Sequence, residues 1–83
     1  MEELINKSRY KVVGTKQTMK ALEKGAAQRV FVAGDAEDKV LQPVVSACEA
    51  NGIDLQHVDT MARLGKMFGI KVEAAAAAIL KED

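Results

Sequence analysis

Residues 69–80 read GIKVEAAAAAIL, and the fold turns on whether the alanines of this stretch form a helix or a strand. Alanine has the best intrinsic helix propensity, so the segment taken alone favours a closing helix. Its place in the chain favours the opposite: it follows an alternation of β-branched runs and amphipathic helices. A strand at the centre of a sheet, packed tightly between helices, fits that place. The residues of the stretch leave both open.

Working outward, the chain alternates. Glu2 to Lys7 reads as a short leading helix, Lys11 to Val13 as a strand, and Gly14–Thr15 as a turn and cap. Lys16 to Lys24 is helical and stops at Gly25, a C′ glycine. Arg29 to Ala33, RVFVA, is a β-branched and aromatic run of buried-strand type. GDAEDK, residues 34–39, is a polar loop. Leu41, Val44, Val45 and Cys48 fall at i, i+3, i+4 and i+7, an amphipathic helix that ends at Asn51–Gly52. With Pro43 kept to the first turn, that helix starts near Gln42. Ile53 to Val58 is a third strand. Thr60 then caps a helix with Met61, Leu64 and Phe68 on its inner face, ended by Gly69, and Ile70–Lys71–Val72 is a short apolar loop. Short connections between alternating elements predict an α/β sandwich around a small, partly parallel sheet, in one domain over residues 1–83.

Composition narrows the function. The 83 residues carry no net charge, with 48% hydrophobic and 29% charged side chains, the balance of an ordinary globular chain. No apolar run approaches the roughly 20 residues that span a membrane. The opening MEELINKSRY does not read as a secretory signal, so the cytoplasm is the expected compartment. One cysteine, Cys48, allows no internal disulfide. With the one histidine, His57, it falls short of the about four ligands of a structural zinc site. Cys48 falls on an apolar helix face and is expected in the core, and His57 lies in a strand without a nucleophile motif beside it. Asp35, Glu37 and Asp38 match no EF-hand spacing and read as a solvated turn. No enzyme activity, metal or cofactor is expected.

The neutral total hides a division. Residues 1–29 hold seven basic and three acidic residues, whereas residues 30–62 hold one lysine and six acids. A local positive surface can exist within such a chain. Its sharpest feature is a stripe: on a helix, Lys16, Lys20 and Lys24 fall within about 80° of one another with Gln17 at about 100°, while Met19, Leu22 and Ala26 cluster between about 240° and 300°. Like charges at i, i+4 cost an isolated helix roughly 0.2–0.5 kcal/mol per pair, and lysines near a helix start oppose the macrodipole. Such a stripe is either a plain solvated face or an anion site, in which helix-start N–H groups, Lys16 and Lys20 meet a phosphate-bearing ligand. GTKQT lacks the spacing of a P-loop. A nucleic-acid backbone asks only for positive charge and donors on a fixed frame. A small phosphate- or nucleotide-binding regulatory protein using the same helix start is the alternative.

At GTKQTMKALEKG, residues 14–25, the sequence resembles the kink-turn RNA-binding ribosomal protein family named for the archaeal protein L-seven-Ae, and within it the short bacterial members. The family opens a helix with G-T-N-E-x-x-K; here Gly14, Thr15 and Lys20 match, with Lys16 in place of Asn and Gln17 in place of Glu. LGKMFGIKVEAAAAAI is similar to the family's L-G-x-x-x-G-hydrophobic-x-V-P-A-A, with Glu73 in place of Pro. In VAGDAED, Asp35 sits at the family's acidic loop position. The resemblance implies a three-layer α-β-α sandwich over a four-stranded mixed sheet, which makes the alanine segment a strand. It also implies a monomer that binds a sharply bent RNA, in rRNA or a regulatory mRNA leader, through sheared G·A pairs and flipped-out nucleotides. In that picture Gly14 lets the backbone approach RNA, and Thr15 caps the helix and offers a hydroxyl. Lys16 and Gln17 read guanine edges and Lys20 takes a phosphate. Asp35 orders the RNA-facing loop, Ile70 and Val72 cover an unstacked base, and Lys71 faces the backbone.

Overall fold

The computed structural model describes residues 10–81; the helix expected over Glu2 to Lys7 lies outside them. The elements run β1 (Lys11–Val13), α1 (Thr15–Glu23), β2 (Ala27–Ala33), α2 (Asp38–Asn51), β3 (Asp54–Val58), α3 (Met61–Met67) and β4 (Ala76–Leu80). The strands form one sheet in the order β1-β4-β2-β3. β4 pairs antiparallel with both β1 and β2, and β2 pairs parallel with β3, so the sheet is mixed.

The alanine segment is therefore a strand, and an interior one. Ala78 stands between Val12 and Val30, and Ala77 between Val13 and Phe31. Ala76, Ala77 and Ala78 are fully buried. Side chains alternate across the sheet: Ala76 and Ala78 join Val30, Val32, Leu22, Val44 and Cys48 under α1 and α2. Ala77 joins Phe31, Ala33, Leu64 and Phe68 under α3. These two clusters are the two interlayers of an α-β-α sandwich. On the α3 side Phe31 and Phe68 meet edge to face, with ring centroids 5.5 Å apart and planes at 73°, a favoured aromatic geometry. Cys48 is 1% exposed; burial pushes its thiol pKa up, and the Glu49 carboxylate adds to the rise.

Two helices differ from the sequence expectation. α2 begins at Asp38, not near Gln42, and Pro43 lies inside it. Val40 and Leu41 already donate to the Glu37 carbonyl at 3.0 and 3.2 Å, which carries Leu41 inward against both core clusters. Pro43 forfeits the bond to the Lys39 carbonyl; both residues are exposed, so water can take that acceptor. On α1 the buried residues are Thr18, Ala21 and Leu22, so the inner face is rotated from the expected Met19–Leu22–Ala26 side, and Ala26 falls outside the helix. Thr18 is 0% exposed, and its hydroxyl has no hydrogen-bond partner among the described residues.

A buried hydroxyl without a partner costs about 1–3 kcal/mol of desolvation. Thr18→Val, which replaces it by a methyl of like shape, is expected to stabilise the domain by about 1 kcal/mol, a rise of roughly 4–8 °C in Tm for a chain this size. Thermal unfolding followed by circular dichroism measures it; a lower Tm contradicts the assignment.

Candidate nucleic-acid interface

The sheet connections bring the expected site segments to one end. β1, β2 and β3 finish at the edge where β4 begins. There Gly14 N–H donates to the Ala76 carbonyl at 2.8 Å, Ala33 N–H to Ala75 at 2.9 Å, and Gly34 N–H to Val58 at 2.7 Å. The start of α1, the 34–37 turn and the loop entering β4 thus share one rim.

At that rim Gly14 is the N-cap of α1 with φ 105° and ψ 150°, a region that essentially only glycine occupies. A Cβ there would meet nothing within 4 Å, so backbone conformation, not crowding, demands the glycine. Thr15 is the first helical residue and does not cap: no side chain among the described residues caps α1, and its first turn holds no acid. Lys16, Gln17 and Lys20 are all exposed. Among the described residues no acid pairs with Lys16, Lys20 or Lys24; the Arg29–Asp54 salt bridge, at 3.1 Å, lies at the opposite end of the sheet, where β2 and β3 begin. The helix start therefore presents N–H groups and ammonium groups together.

The second segment is shaped by α3. Its start is capped twice: Thr60 Oγ1 accepts from Arg63 N–H at 3.0 Å, and the Asp35 carboxylate accepts from Met61 N–H at 2.8 Å. Asp35 thus serves the rim as a tether between the 34–37 turn and α3. After the Phe68–Gly69 turn the chain doubles back along the helix. Ile70 N–H donates to the Gly65 carbonyl at 3.0 Å, and Ala74 N–H to Met61 at 3.1 Å. Between these bonds the Val72 carbonyl lies so close over Gly65 that a Cβ on that residue would overlap it. The outcome is uneven for the three loop residues. Val72 stands 69% exposed and Lys71 is exposed, while Ile70 is half-buried against the α3-side core.

The rim also holds Glu37, read above only as part of a solvated turn, and Val40, which sequence reasoning left out. Glu37 is the N-cap of α2, and Val40 in its first turn is 38% exposed; starting the helix near Gln42 hid both. Cys48 and His57 do not converge: the thiol is in the core, and His57 is exposed on β3 beside Asp59 and Arg63. No helix among the described residues is long and apolar enough to cross a membrane.

Gly65→Ala sets two effects against each other. Alanine gains about 1 kcal/mol of helix propensity over glycine, while overpacking against backbone costs about 1–3 kcal/mol or displaces the loop. The close approach is expected to win, so that Tm falls and the amide resonances of Ile70 and Val72 shift. A Gly65→Ala protein that is more stable and unshifted in a two-dimensional amide NMR spectrum would contradict this packing.

Known proteins share this fold. Residues 2–83 match the family described as Ribosomal protein L7Ae/L30e/S12e/Gadd45. The chain is 47% identical over 68 residues to RNA-binding protein TTE2299 of Caldanaerobacter subterraneus subsp. tengcongensis, covering 82% of this chain and 83% of that protein. It is 37% identical over 68 residues to large ribosomal subunit protein eL8 of Haloquadratum walsbyi, covering 81% of this chain and 57% of that one. Among solved structures, the Giardia lamblia 15.5kD RNA binding protein superposes with a TM-score of 0.82 at 25% identity, covering 99% of this chain and 69% of that one. With a match that runs from residue 2 to residue 83 and the sheet order described above, the chain belongs to the L7Ae/L30e/S12e/Gadd45 ribosomal protein family.

Proposed function

We propose that this protein is a non-enzymatic RNA-binding protein that recognises kink-turns, gripping the sheared G·A pairs with the α1 start at Gly14–Lys20 and covering a flipped-out nucleotide with the Ile70–Val72 loop. The observation that carries the proposal is the bond from Gly14 N–H to the Ala76 carbonyl, which holds the two segments, far apart in the chain, against the same sheet edge. The RNA-binding relatives support the nucleic-acid class of ligand.

Each group has a task that its chemistry suits. Lys16 donates to guanine O6 or N7, and the Gln17 amide both donates and accepts at a base edge. Lys20, one turn further along the exposed face, neutralises phosphate. Thr15 offers a hydroxyl not spent on capping, and Lys71 faces the backbone. Val72 supplies apolar contact to an unstacked base, with Ile70 as the half-buried support beneath it. Asp35 acts on RNA through the loop it fixes. The RNA is a kinked segment of rRNA or of a regulatory mRNA leader in the cytoplasm, bound by a monomer and in the first case on the ribosome.

Lys16→Ala and Gln17→Ala are each expected to weaken binding to a kinked RNA about tenfold, the low end of one base-edge contact, with a smaller loss on a straight duplex of equal length. Gel-shift titrations against both RNAs decide it; equal losses on the two refute base reading at this helix start. A phosphate- or nucleotide-binding role would instead appear as competition by free nucleotide.

Val72→Ala is expected to weaken kinked-RNA binding several-fold while leaving Tm within about 3 °C, since an exposed apolar side chain contributes within about 0.5 kcal/mol to stability. Titration and thermal melting of the same preparation test this, and undiminished affinity excludes the loop from the interface.

A further inference from the structure

The loop that carries Val72 leaves α3 at Phe68, whose carbonyl accepts from the Lys11 ammonium at 2.9 Å in a part-buried contact spanning 57 positions of sequence. Phe68 is the C-cap of α3, and carbonyls at a helix C-terminus lack intrahelical partners and carry partial negative charge. An ammonium is therefore a strong partner for that oxygen. Gly69 follows at once with a φ of 75°, and Ile70 N–H returns to the Gly65 carbonyl. The direction in which the loop sets out is fixed between the turn and this carbonyl. The fully buried Phe68 ring, edge-on to Phe31, holds the same residue from the core side.

Lys11 also belongs to the other segment. It opens β1, three residues before Gly14, in a strand of three residues, Lys-Val-Val, at the edge of the sheet. Val12 packs toward α1 and α2 and Val13 toward α3, so Lys11, two positions from Val13, reaches to the α3 side. From this short apolar strand the part-buried Lys11 ammonium reaches a backbone carbonyl on the α3 side.

We propose that Lys11 is a positioning residue for RNA recognition: by holding the Phe68 carbonyl it ties the strand that ends at Gly14 to the turn that launches Ile70–Val72, and so sets the spacing between the two halves of the interface. The inference rests on the proposed function and assigns Lys11 no contact with RNA.

The test is a double-mutant cycle on the full chain against one kinked RNA, using Lys11→Met, Val72→Ala and the pair, with Lys11→Arg as the conservative variant. Lys11→Met keeps the aliphatic stem and removes the ammonium. It is expected to weaken binding about fivefold, below the roughly tenfold or more of a fully lost hydrogen bond to a charged group because the loop partly relaxes. Its loss is expected to overlap that of Val72→Ala, so that the pair binds more tightly than the product of the two losses. The dependence of affinity on salt is expected to keep its slope, since a lysine on phosphate would lower it by about 0.7–0.9. Amide exchange at Ile70 and Val72 is expected to quicken in Lys11→Met and recover in Lys11→Arg. Losses that multiply independently, a reduced salt slope, unchanged amide exchange, or no loss at Lys11→Met while Val72→Ala is impaired each overturn the positioning role and leave the proposed function intact. Undiminished binding by Val72→Ala overturns the loop's part in the function, and the role of Lys11 with it.

Discussion

The interface end depends on one absence, the missing side chain at Gly65. Helix α3 has one place where a second stretch of backbone can lie directly on it, and the Val72 carbonyl fills that place. The loop's polar groups then find partners on the helix: Ile70 N–H reaches the Gly65 carbonyl and Ala74 N–H reaches Met61. Backbone satisfied in this way is held without burying its side chains. Val72 can accordingly stand 69% exposed on a fixed frame, and an apolar group held in place before a ligand arrives loses little entropy on binding. The same path delivers Ala75 and Ala76 to the sheet edge in register for β4, so loop and strand share one support.

β4 shows what decides between helix and strand when propensity and position disagree. Helix propensity separates alanine from β-branched residues by less than about 0.7 kcal/mol per residue, and summed over five alanines it amounts to a few kcal/mol. Pairing on both sides, with β1 and β2, gives the backbone of β4 partners in the sheet and removes Ala76–Ala78 from water on both faces. Tertiary packing outweighs propensity at this size, and the small side chain lets the helix layers close on the sheet. From the residues alone the segment stayed open; the strand–helix alternation and the family resemblance fixed it. Local cues failed in two places where tertiary contact overrode them. Pro43 suggested a later start for α2, yet the turn before it carries Leu41 into both core clusters. The helix wheel turned Met19, Leu22 and Ala26 inward, yet α1 is rotated to bury Thr18, Ala21 and Leu22.

Helix α1 gathers several features that a helix selected for stability alone would avoid. Its cap is a glycine in a conformation that other residues rarely adopt, no acid occupies its first turn, its inner face buries a hydroxyl without a partner among the described residues, and its outer face carries aligned lysines. Each costs a fraction of a kcal/mol to a few kcal/mol, and they converge on one element of nine residues. Local choices that disagree with stability cluster where a surface has another task. A positive start with no side-chain cap and no acid partner among the described residues suits a polyanion, in a chain whose net charge is zero.

The candidate site residues come in two short motifs, and the fold brings those motifs to one end of the sheet. What could not be read is how they are held. Lys11 looks like an edge-strand lysine until Phe68 is placed beside it, and Gly65 looks like a weak point in a helix until Val72 is placed over it. Both meanings arise from contacts across the fold. Yet the decision about the fold and the decision about the site are the same one. Were the alanines helical, Gly14 would have no Ala76 carbonyl to meet, and the α1 start would lose its fixed relation to the 70–75 loop. Because Ala76 does accept from Gly14 at 2.8 Å, the pairing that makes β4 a strand also makes two motifs into one surface.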